Sequence, residues 1–119
     1  MEKSRFEIPI IKTEVLVMIS SEWSEEEEEK AIGLATEHLD FDVTGGNMNA
    51  FSVCKSRNAA LWFSDSDRTR VWHECYHATQ SVVREIGCEG NDEELMAHIH
   101  EYIVEQVLQI WEKSKYRKK

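Results

Sequence analysis

Apolar residues follow two spacings along this chain, and the alternation between them predicts the order of its elements. Val15-Leu16-Val17-Met18-Ile19 is a short, largely β-branched run bounded by polar residues, which reads as a buried central strand. Pro9 lacks the N–H that a ladder needs, so it confines the preceding stretch from Phe6 to an edge or a lead-in. Ser24-Glu25-Glu26-Glu27 has the capping-box spacing and opens a helix to about Leu39, with Ala31, Ile32, Ala35 and Leu39 as its sheet-covering face.

Gly45-Gly46 beside Asn47 and Asn49 marks a loop. No Gly-Lys-Ser/Thr follows and no helix starts there, so the glycine pair is no phosphate cradle. Ala50 to Cys54 and Ala60 to Phe63 read as strands, and Lys55 to Asn58 as the turn of a hairpin joining them. Val71, Trp72, Cys75, Tyr76, Ala78, Val82, Val83 and Ile86 return to helical spacing up to Gly87, with N-caps on offer from Ser64 to Asp67. A last helix from about Asp92 to Ser114 carries Leu95, Met96, Ile99, Ile103, Val107, Ile110 and Trp111 on one face. The expected order is β-α-β-β-α-α, an α+β fold with a three-stranded sheet.

With 119 residues and 41% hydrophobic content, residues 1–119 are expected to form a single domain with a basic tail at about 113–119. A formal charge of −9 speaks against nucleic acid as a partner, because neutralising phosphates needs a basic face. The basic tail instead suits the negative end of the last helix. The run Glu25 to Glu29 reads as a solvated helix face. Three cysteines, Cys54, Cys75 and Cys88, have no Cys-x-x-Cys spacing and fit a reducing compartment. With no membrane-length apolar run and no signal-peptide segment, the expected location is cytoplasmic, without membrane partners. The four tryptophans are expected in core or edge packing, with Trp23 the one candidate for an exposed contact.

The candidate chemistry lies at Trp72-His73-Glu74-Cys75-Tyr76-His77-Ala78. On a helix His73 and His77 are one turn apart on one face, where two imidazoles can share a zinc ion, with Glu74 beside them as general base. Cys75 is expected in the core and Tyr76 facing away from the pair. Two histidines need a further ligand, and the last helix offers Glu93, Glu94, His98, His100 and Glu101. Glu94 shares a face with His98 and Glu101, whereas Glu93 falls on the apolar side with His100, so spacing alone leaves both carboxylates open. Asn91-x-x-Glu94 is also a capping-box spacing, which offers Glu94 a purely structural role. His98 and His100 are expected to be surface or satisfied-core histidines.

The motif helix followed by Glu94-Leu95-Met96-Ala97 resembles the minimal zincin core of the gluzincin type. It is also similar to short phage-encoded proteins with His-Glu-x-x-His-Ala and a downstream Glu-x-x-Ala helix. The resemblance implies zinc as cofactor, His73, His77 and Glu94 as ligands with Glu93 as fallback, and Glu74 as the base in peptide-bond hydrolysis. It also implies that the strand before the motif helix, Ala60 to Phe63, is an edge that pairs with an extended peptide substrate. The location would then be the host cytoplasm if the chain is phage-encoded. A second expectation is a phage or mobile-element accessory protein that uses the zincin-like fold to bind or inhibit a host or defence protein. Its acidic charge would suit a basic partner surface. In a third, metal serves only stability.

Overall fold

A computed structural model describes residues 1–45, 49–64, 68–87 and 93–116 of the chain. The elements are β1 (Glu2–Ile8), β2 (Thr13–Ile19), α1 (Glu25–Leu39), β3 (Ala50–Lys55), β4 (Asn58–Phe63), α2 (Arg68–Glu85) and α3 (Glu93–Lys113). The fold is α+β, and its sheet has four strands in the order β1-β2-β4-β3 instead of the three expected.

The additional strand is β1, antiparallel to β2 with Phe6 opposite Val15. Its inward positions begin with Glu2 and Ser4, so the alternation that signals a strand is polar on both sides and does not stand out in the sequence. Glu2 is placed there because the end of α3 satisfies it: Ser114 Oγ donates to its carboxylate, and the Lys115 N–H lies 3.4 Å from it. Pro9 follows β1 directly, in the turn to β2, where its missing N–H breaks no ladder.

The apolar run of β2 is central, paired antiparallel with β1 and parallel with β4. Parallel neighbours need a crossover, and α1 lies within it. Its start is capped by Ser24, whose Oγ accepts the Glu27 N–H at 3.0 Å, but the expected capping box is only half made, since Glu27 Oε2 is enclosed without a hydrogen-bond partner. One sheet face carries Leu16, Met18, Phe51, Ala60 and Trp62 under α1, packed on Ala31, Ala35 and Leu39. The opposite face carries Val15, Val17, Ile19, Ala59, Leu61 and Phe63 under α2 and α3. Burial on both faces explains why β2 and β4 read as continuous apolar runs rather than alternating ones.

β3 and β4 form the expected hairpin, closed by Ser56-Arg57, with Ser56 at the positive φ of 56° that such a tight turn calls on. Ala60 to Phe63, however, does not form an edge. β4 lies between β2 and β3, and the border strand on that side is β3. The expectation failed because β4 gains a parallel partner from far back in the chain, which no local pattern reveals. No helix among the described residues is long and apolar enough to cross a membrane.

Candidate metal centre

The motif lies in α2, whose core stripe is Val71, Cys75, Ala78 and Val82, all buried. Cys75 is fully enclosed, as expected, and burial, with the Glu74 charge adding to it, pushes its thiol up to about 12. The expected N-caps Asp65, Ser66 and Asp67, and Asn91 and Asp92 before α3, lie outside the described residues, as does Cys88.

His73 and His77 stand together on the exposed side of α2. Their Nε2 atoms are 3.1 Å apart and their rings meet edge to face with centroids at 4.6 Å. Two nitrogens bound to one tetrahedral zinc at about 2.0–2.1 Å would be about 3.3 Å apart, so the pair has the spread of a chelate.

Glu74 occupies the opposite circumstance. The residue is 7% exposed, and its Oε2 is enclosed without a hydrogen-bond partner. Burial raises its carboxyl above the ordinary 4.5, against the opposing charges of His73, His77 and Arg70. On the helical wheel Glu74 shares a flank with Glu85, whose Oε2 accepts the Ser56 N–H at 3.1 Å, so this side of α2 is turned to the β3–β4 hairpin.

The other flank of α2 meets α3. Trp72 and Tyr76, one turn apart, are 47% and 49% exposed, and the His100 ring lies edge-on to both, at 5.1 and 6.0 Å between centroids. Trp72 is thus a surface residue and not core, because the α2 stripe it occupies borders the core instead of entering it. His100 Nε2 is enclosed without a partner, and burial lowers its pKa, which favours the neutral imidazole. Tyr76 does not face away from the histidines: its ring centroid is 6.3 Å from that of His77, and its hydroxyl accepts from Gln80 Nε2 at 3.3 Å. Lying beside His77 on the wheel, it leans towards it from the α3 flank.

The α3 carboxylates stand elsewhere. Glu94 lies 3.5 Å from His98 Nε2, with the two side chains 90% and 74% exposed, and Glu93 is exposed on the α3 face that also carries His100. Among the described residues no group of three or more His, Cys, Asp or Glu side chains is arranged to hold an ion. The structure therefore brings together His73 and His77, sets Glu74 on the neighbouring buried flank of α2, and leaves Glu93 and Glu94 outside any ligand group. His98 is at the surface as expected, whereas His100 is neither exposed nor satisfied. The sequence signal for its setting is the Trp72, Tyr76, Gln80 stripe, repeated one turn apart beside the motif.

Compared with known proteins, the chain matches no protein-family model, no curated protein and no solved structure.

Proposed function

We propose that the chain is a zincin-like, zinc-dependent hydrolase of peptide bonds. His73 and His77 would hold the ion, Glu94 or alternatively Glu93 would complete its ligands, and Glu74 would be the general base. The observation that supports this reading is the convergence of the two Nε2 atoms at 3.1 Å, with a buried carboxylate on the intervening turn. Zinc, when bound, polarises a carbonyl and supplies a water acidic enough to ionise near neutral pH. Glu74 suits the role of proton acceptor because its burial raises its affinity for a proton, bringing it closer to the pH at which it must work.

Bringing Glu94 to the site requires its release from His98, an exposed contact of a kind that contributes at most about 1 kcal/mol. The border strand β3, packed beside α2, takes over the place expected of Ala60 to Phe63 as the strand along which a peptide substrate would lie.

Metal analysis of the purified chain tests the reading. One zinc per chain is expected, lost in His73→Ala. Glu74→Gln should keep the zinc and lower hydrolysis of a fluorogenic peptide library by about 10²–10⁴-fold. A wild-type chain that takes up no zinc from a zinc-containing buffer would sink the proposal.

A second reading is favoured by the surface position of Glu93 and Glu94: a phage or mobile-element accessory protein that uses this fold to bind a basic protein surface, with metal absent or structural. Under it, neutralising the exposed Glu25, Glu26 and Glu29 of α1 abolishes partner binding, while Glu74→Gln does not.

A further inference from the structure

An outermost strand carries a row of backbone N–H and C=O groups outside any ladder, and such a row pairs readily with another extended chain. β1 is outermost on the side of the sheet away from β3. Glu14, opposite Glu7, gives its N–H to the Arg57 carbonyl at 3.0 Å on the β4 side, so Glu7 and Glu14 form a non-bonded pair. The N–H and C=O of Glu7 therefore point outward, and with them, at every second residue, those of Arg5 and Lys3. The Tyr102 hydroxyl, donating to the Glu7 carbonyl at 3.0 Å, marks one end of this edge. Among the described residues nothing bonds to the outward backbone groups of Lys3 and Arg5.

The edge is also open on both faces. A groove of about 470 Å³ against α3 and one of about 460 Å³ against α1 both reach Lys3, Ser4 and Arg5, which leaves room for side chains that alternate between the faces of an added strand. Charge on an edge strand ordinarily deters self-pairing, because two copies bring like charges together. On β1 the signs are arranged the other way. Lys3, Arg5 and Glu7 share one face, and Arg5 is the centre of the seven-residue strand. Laid antiparallel on a second copy about Arg5, the strand sets Lys3 opposite Glu7 of that copy, and its outward backbone groups meet in bonded pairs. Neither Lys3 nor Glu7 has an ion-pair partner of its own among the described residues, and Glu7 faces the like charge of Glu14 within the sheet. Arg5 would meet Arg5, an unfavourable pair, but each is already held at 3.4 Å by Glu14 of its own chain.

We infer that the free edge of β1 joins a second copy of this chain, forming one continuous sheet across a two-fold axis at Arg5. Lys3 and Glu7 fix the register, and the backbone of Lys3, Arg5 and Glu7 supplies the ladder.

Sedimentation equilibrium on the full chain tests it. The wild type should dimerise, and more weakly as salt rises. Lys3→Glu and Glu7→Lys should each weaken the dimer about tenfold, because both symmetry-related pairs of opposite charge become pairs of like charge. Mixing these two variants brings opposite charges together again and should restore association to the wild-type level. Arg5→Pro removes an outward N–H that the β1–β2 ladder does not use, so it should give a monomer with an unchanged far-UV circular dichroism spectrum. If that variant does not fold, the mixing experiment decides alone. A wild type that stays monomeric at low salt, even one whose edge captures an added peptide instead, overturns the inference. So does a dimer that the charge reversals leave intact, or one that mixing fails to restore.

Discussion

α1 and α2 cover opposite faces of one sheet and treat polarity in opposite ways. α1 buries Ala31, Ala35 and Leu39 and turns Glu25, Glu26 and Glu29 outward; its buried carboxylate, Glu28, lies in the first turn, where the positive end of the helix favours it. α2 encloses Glu74 in its second turn, beyond that compensation, and leaves Trp72 and Tyr76 half exposed. A helix that follows local rules is explained by the need to cover the sheet. One that sets a carboxylate inside and two aromatics outside is explained by packing only in part, and such departures concentrate where chemistry is done.

The comparison is tested most severely by the tryptophans. Trp62 lies under α1, fully buried, with its Nε1 donating to Ser20 Oγ at 3.0 Å and Phe51 at 5.6 Å. Trp62→Ala should cost about 3–5 kcal/mol in chemical denaturation. Trp72→Ala, on the exposed flank of α2, should cost less than about 1 kcal/mol. Equal losses would mean that Trp72 is a packing residue after all and that α2 departs from the rules less than its exposures indicate.

A smaller effect is expected at the start of α1. Ser24→Ala removes the acceptor for the Glu27 N–H and should lower stability by about 1 kcal/mol, read as a shift in denaturation midpoint at constant slope.

The smallest effect concerns Glu74 in metal-free protein. Because its folded-state pKa is raised, the contribution of Glu74 to stability is fully present below the ordinary value of 4.5 and is lost as pH rises through the raised value. Glutamine mimics the protonated acid at every pH. Glu74→Gln should therefore melt above wild type at pH 7 and converge with it as pH falls towards 4. A gap that widens on acidification would show that Glu74 is held in its charged form by partners.

Much of this arrangement is legible in the sequence. Ser24 announces α1, and the run from Val15 to Ile19 announces a central strand. The turn between Cys54 and Ala60 announces the hairpin, and the spacing of His73 and His77 announces their convergence. What escapes is non-local. The strand Glu2–Ile8 depends on a carboxylate satisfied by Ser114, at the other end of the chain. The central place of β4 depends on a partner across the crossover, and the exposure of Tyr76 depends on where α3 lies against α2. None of these is written in the spacing of neighbouring residues. The same holds for a third ligand, since nothing in the spacing of Glu93 and Glu94 tells how far either stands from a site on another helix.

The parallel seam between β2 and β4 has a bearing on how this chain reaches its native state. Each outer hairpin joins residues close in sequence and can zip locally, whereas matching Val17 to Leu61 requires the intervening segment, α1 included, to be looped over first. The slow event of self-assembly is thus the meeting of two preformed ribbons along their most apolar strands. Until they meet, those strands are the surface the nascent polypeptide most needs to keep from its neighbours.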